Sequence, residues 1–205
     1  MNRLLIPAAA LLWGLQISFL SPALALILTG LYGASTAEIG WVLAIYNASG
    51  FLCTLIIPAA ADRRRDYLGP MLLCAVLTAV LAVVLALVTT LPLAVLALVV
   101  IGGPAGIGNS MLFAHLRHSG AAPSVVINTR AIVSVAWVAG PPIATALIGL
   151  WGEISVLVAV AVIAALVALT TVVMLRERSV LRAAAAASGE PAGAAEPAAP
   201  ARAEA

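Results

Sequence analysis

Apolar residues fill six long blocks, near residues 4–29, 38–60, 68–89, 92–114, 124–149 and 153–175, each set off from the next by a short polar break. A block of about 20 residues or more carries an α-helix across a hydrocarbon core at about 1.5 Å per residue. The apolar positions run on without alternating, whereas a barrel strand needs about ten residues of alternating polarity. Helices satisfy their own backbone in lipid and are the remaining solution. The pattern therefore predicts an all-α integral membrane protein whose transmembrane domain, residues 1–182, holds six spans, numbered here one to six. Residues 183–205 break the pattern, being largely Ala, Pro, Gly and Glu with no aromatic or branched aliphatic side chain. Such a stretch cannot bury enough surface to offset its ordering entropy, so a disordered tail is expected, its first Ala residues extending the last helix by about a turn.

Composition agrees, with 64% hydrophobic and 9% charged residues against about a quarter charged in soluble domains. Arg3 and the small-x-small string Ala23-Leu24-Ala25 imitate a secretory signal, but the apolar run continues to Leu28, longer than a signal core needs. Cys53 and Cys74 fall inside spans two and three, where a thiol behaves as a small hydrophobe, so no disulfide framework, metal site or cofactor is indicated.

Charge adds direction. Arg3, the trio Arg63, Arg64 and Arg65, then Arg117, Arg176, Arg178 and Arg182 all precede span one or follow spans two, four and six. The three other loops contain no basic residue, and short Arg-rich loops stay cytoplasmic. Both termini are thus expected in the cytoplasm of a multi-pass plasma-membrane protein, with Glu38 and Glu153 at the outer edge.

Polar interruptions suggest internal symmetry. Span one carries Gly14, Gln16, Ser18, Ser21 and Pro22, and span four carries Gly102, Gly103, Pro104, Gly106, Gly108 and Asn109, while spans three and six are nearly featureless. Matching interruptions in two halves are a mark of transporter repeats, so spans one to three and four to six read as two three-helix units. Polar groups in lipid turn inward, which leads us to expect the first helix of each unit to line a path and the third to face lipid. The glycines of span four also fit a close-packing surface. On span two, Asn47, Gly50, Thr54 and Pro58 form one helical face leading to Asp62; on span five, Arg130, Ser134, Trp137 and Pro141 form another. Arg130 sits about six residues inside its span, about 9 Å from its start at 1.5 Å per residue. It either snorkels to the cytoplasmic surface or stays at depth as a binding group. The indole of Trp137 is either packing or a platform for the apolar face of a sugar ring.

The string "AADRRRD" between spans two and three resembles the cytoplasmic signature of the major facilitator superfamily, with Asp62, Arg63 and Arg64 in its charged positions and Pro58 and Arg65 where the family has Gly. "GLQISFLSPALALILTG", "MLFAHLRHSG" and "TRAIVSVAWVAGPPIATALIG" are similar to the first, fourth and fifth spans of that superfamily's sugar efflux transporters. The resemblance covers about residues 10–175. It implies half of a major facilitator fold that exports sugars or similar small polar solutes by alternating access. It also marks Asp62, Arg63 and Arg64 as a gating motif and Gly140, Pro141 and Pro142 as an exporter motif in span five. Gln16, Asn47, Asn109, Arg130, Ser134 and Trp137 are the substrate-binding candidates, since hydroxyl-rich solutes need convergent donors and acceptors.

A complete member has two six-helix halves, so the implied partners, besides lipid and solute, are a second copy in a homodimer or a separate C-terminal half; no nucleic acid is implied. The alternatives are a truncated or split-gene remnant, a non-transporting membrane subunit, and drug efflux. No H-E-x-x-H, no G-x-S-x-G and no acidic pair occurs in the spans, which speaks against an enzyme. His115 and His118 fall in the loop after span four, where a solvated role is expected.

Overall fold

The computed structural model describes residues 5–64 and 66–187, and these are all-helical, with no strand among them. Six helices are long and apolar enough to cross a membrane: Leu5–Tyr32, Thr36–Arg64, Leu68–Leu87, Leu91–His118, Pro123–Trp151 and Glu153–Leu181. They are spans one to six. Arg3, Arg65 and the expected disordered stretch from residue 188 onward lie outside the described residues.

Local chemistry sets the helix ends. Span one closes at Gly33, whose φ of 63° is open to glycine; its N–H donates to Thr29 O at 3.0 Å and the next N–H, of Ala34, to Leu28 O at 3.1 Å. That bond pair satisfies the last carbonyls of the helix. Span two opens on a capping box: Ser35 donates through its N–H and Oγ to Glu38 Oε2 at 2.8 and 2.7 Å, and Glu38 N–H donates back to Ser35 Oγ at 3.3 Å. Spans four and five each carry a proline in the first turn, where its missing N–H costs nothing. The sixth helix does not stop at the apolar boundary but runs to Ala187, with the Arg178 Nη1 donating to Asp66 Oδ1 at 2.8 Å on the way.

The matched interruptions expected in spans one and four are not matched in the backbone. Span one continues through Pro22 as one unbroken helix. Span four breaks into Leu91–Ala97, a π-helical Leu98–Gly102, a short Gly103–Ala105 and then Gly108–His118. A lone proline removes one hydrogen bond and is absorbed; Pro104 set among four glycines removes a bond where the backbone is also least constrained.

Span one is the hub, packed against spans five and six; span three packs against spans six and four, and span two against span four. Small residues set two close crossings. Gly14 of span one leaves so little room that a Cβ there would lie 2.7 Å from Ala136 Cβ and 3.3 Å from Val133 Cα on span five. Gly103 of span four faces Ser49 of span two, whose Cβ would be 3.1 Å from an added Cβ and whose Oγ donates to Val99 O at 2.7 Å. Small side chains let helices approach where lipid offers no hydrophobic drive for association.

The core falls into two clusters along the bundle, one around Phe19, Leu24, Leu28, Leu81, Leu85 and Leu98, the other around Trp13, Met71, Met111, Leu112 and Val167. Spans three and six each bury one side in these clusters and leave another exposed, at Leu73, Val76, Val80 and Val83 and at Val158, Val162, Leu166 and Leu169. Span three buries eight of its residues inside the chain, whereas span two buries only Val42 and Ala61. A uniformly apolar helix suits a bundle interior as well as it suits lipid, so its composition does not separate the two.

Candidate functional site

Two cavities follow one another along spans two and four. The first, about 260 Å³, lies at mid-bundle beside the break in span four. Its polar lining comes from Gln16 and Ser21 of span one, Tyr46, Asn47 and Thr54 of span two, and Thr78 of span three. Gln16 is 3% exposed, and its Nε2 donates to Thr78 Oγ1 at 2.8 Å. The Thr78 hydroxyl spends its own proton on Cys74 O at 3.0 Å, so its oxygen can only accept. That fixes which way the amide faces and leaves Gln16 Oε1 as a buried acceptor with no hydrogen-bond partner among the described residues. A buried unsatisfied acceptor costs about 1–3 kcal/mol and marks a place for a donor. Asn47 Nδ2 donates to Leu43 O of its own helix at 2.8 Å. Gly102, Gly103 and Gly106 complete the wall, and the π-helical turn there is a feature often found at functional sites.

The second cavity, about 610 Å³, lies at the end of the bundle that bears the Arg-rich loop. Asp62 of span two, Arg117 and His118 of span four, and Arg130 and Ser134 of span five line it. Arg130 Cζ stands 5.8 Å from the centroid of Phe113, a cation–π distance, and Ser134 Oγ donates to Arg130 O at 3.0 Å. The buried Tyr67 hydroxyl bridges two partners, donating to Asp62 Oδ1 at 2.8 Å and meeting His118 Nε2 at 2.8 Å, with the two rings 4.5 Å apart. His118, at the last turn of span four, is thus part of a loop-to-span contact while its side chain stays exposed.

The candidate residues divide between these places. Gln16 and Asn47 meet in the first cavity; Asp62, Arg130 and Ser134 meet in the second. Arg130 is exposed on the chain's surface and not buried. Asn109 and Trp137 line neither cavity: Asn109 Oδ1 is buried without a hydrogen-bond partner among the described residues, and Trp137 is 45% exposed. Arg63 and Arg64 turn to a separate shallow recess with Ile56, Ala59 and Ala60, away from Asp62. Gly140 packs against Ser18 of span one, and the helix runs on through Pro141 and Pro142 with Thr145 Oγ1 bonded to both of their carbonyls at 3.0 Å. No group of three His, Cys, Asp or Glu that could hold a metal occurs among the described residues.

Sequence reasoning passed over Thr78 and Tyr67. Thr78 is an isolated hydroxyl in an apolar span, and its role is set by a glutamine 62 positions away. Tyr67 directly follows the charge cluster, a place where an aromatic ring at a helix start is a weak signal. No family model, curated protein or solved structure matches the chain. What the cavities offer chemically is hydrogen bonding to hydroxyl groups in the first, and guanidinium charge in the second.

Proposed function

We propose that the chain is one six-helix half of a major facilitator-type transporter that exports sugar-like polar solutes across the plasma membrane by alternating access. The observation that carries this reading is Gln16: a buried amide in a membrane-spanning bundle, held by Thr78 in the wall of a cavity that Asn47, Ser21 and Thr54 also line. A hydroxylated solute meets such a wall with donors and acceptors of its own.

The pairing of helices supports the repeat reading. Exchanging spans one, two and three with four, five and six turns the contact of one with five into that of four with two, and the contact of one with six into that of four with three. All four contacts occur, and both crossings of the first kind are made by small residues. Major facilitator halves rock about a shared midplane site, which needs a second unit. Asn47, Thr54, Arg130, Ser134 and Trp137 are exposed on spans two and five, and polar groups facing lipid are costly. That face meets a second copy or a separate C-terminal half. Asp62, held by Tyr67, belongs to the cytoplasmic gate, with both termini on that side.

The test is reconstitution of the purified chain in liposomes, with counterflow of labelled sugars measured before and after cross-linking through a cysteine at position 54. Saturable flux that Gln16→Leu abolishes, with the variant still folded and inserted, is the expected result. Absence of flux from both monomer and cross-linked dimer overturns the reading in favour of a non-transporting subunit.

A further inference from the structure

We propose that the second cavity binds an anionic group, so that the solute is an acidic, hydroxyl-bearing molecule such as a sugar acid or a sugar phosphate, its anion held by Arg130 and Arg117 at the cytoplasmic mouth. The proposal rests on the transport reading above and names the substrate class for it.

Arg130 is the starting point. A guanidinium within a membrane span pairs with something, because an unpaired charge there is expensive. Among the described residues the one ion pair within 4.0 Å joins Arg178 to Asp66, at 2.8 Å. The carboxylate that shares the cavity with Arg130 is Asp62, and it accepts the Tyr67 hydroxyl. Arg130 itself meets the Phe113 ring, which faces a cation but accepts none of its N–H bonds. A planar fork of donors beside a ring, with no ion-pair partner among the described residues, is an arrangement that takes a carboxylate or phosphate in bidentate fashion. Arg117 lines the same space and adds a second cation against the one carboxylate.

The neighbouring cavity supplies the rest of the molecule's needs. Thr54 closes the mid-bundle cavity on span two, and Pro58, one helical turn on, opens the cationic one; on span four Ile107 and Ser110 make the same handover. One turn is about 5.4 Å, less than the length of a sugar ring with its substituents. A solute anchored by its anion at Arg130 therefore extends its hydroxyls towards the Thr54 end of the first cavity. No carboxylate lines the first cavity, so nothing there repels it.

The experiment uses the full chain in nanodiscs of neutral phosphatidylcholine, with binding of glucuronate, glucose 6-phosphate and glucose read by tryptophan fluorescence. The expected result is that the two anions bind at least ~10-fold more tightly than glucose. Arg130→Gln removes that preference while glucose affinity stays within ~3-fold, and Arg130→Lys restores part of it. Ser134→Asp keeps Arg130 and gives it a carboxylate one turn away; it should weaken anion binding without touching the glucose subsite, which guards against misfolding of the first variant. Equal affinity for glucose and glucuronate in the wild type, or a preference that survives Arg130→Gln, overturns the proposal. An Arg130-dependent response to phosphatidylglycerol in the discs, with none to the soluble anions, assigns the cations to a lipid headgroup and also overturns it. Gln16-dependent glucose transport with no anion preference sinks this inference alone, whereas a chain that binds and moves none of the three sinks the transport reading as well.

Discussion

Gly140 of span five lies so close to Ser18 of span one that a Cβ at position 140 would fall on the Ser18 Oγ and 3.2 Å from its carbonyl carbon. Four residues earlier, Ala136 meets Gly14, four residues before Ser18, in the same way. The two helices thus interlock through Gly14 and Ser18 on one side and Ala136 and Gly140 on the other, a small-xxx-small crossing. Gly140→Ala should destabilise the folded chain by about 1–3 kcal/mol, because a backbone atom stands among the clashing groups and the helices must part. Ser18→Gly in the same chain should recover part of that loss. Thermal unfolding in detergent checks both, and a Gly140→Ala protein as stable as the wild type contradicts the packing described.

Thr78 holds the Gln16 amide in one orientation. Thr78→Val keeps the volume and removes the acceptor, leaving Gln16 Nε2 buried without its partner at a cost of about 1–3 kcal/mol. The amide is then free to turn, so solute affinity should fall together with stability, whereas Thr78→Ser should preserve both. Parallel unfolding and binding curves for the two variants separate this from a simple cavity effect, which would weaken Thr78→Ser and spare Thr78→Val.

Tyr67 ties the loop after span two to the end of span four through Asp62 and His118. Tyr67→Phe keeps the ring against His118 and deletes both hydroxyl contacts, each worth about 0.5–1.5 kcal/mol net. The expected outcome is a more accessible loop, read as faster labelling of a cysteine placed at position 66, with the spans still inserted. An unchanged labelling rate would show that the hydroxyl does not hold the loop.

Arg178 and Asp66 pair at 2.8 Å with 28% and 42% of their side chains exposed. Partly exposed pairs are screened by solvent, so a double-mutant cycle of Arg178→Gln and Asp66→Asn should return a coupling of about 0.2–1 kcal/mol. That coupling should shrink as salt is raised towards about 1 M, where the Debye length is about 3 Å. A coupling above about 2 kcal/mol, or one indifferent to salt, would place the pair in a drier setting than its exposure indicates.

The sequence alone carried the number of helices and their kind. Runs of about 20 apolar residues with no alternation leave the backbone one way to satisfy itself in lipid. It also carried the stripes on spans two and five, because helical periodicity puts Asn47 with Thr54, and Arg130 with Ser134, on one face whatever the fold. Which spans lie at the centre was decided by tertiary structure. Spans three and six are apolar on every side, and only the contacts of their neighbours choose between lipid and protein for them. Tertiary structure also chose Thr78 as the partner of Gln16 and His118 as that of Tyr67, and it parted Asp62 from Arg63 and Arg64. Hydrogen bonds between side chains 62 and 51 positions apart leave no local trace. Their energy depends on where packing brings two helices together, and here that packing is set by glycines whose neighbours lie on other spans.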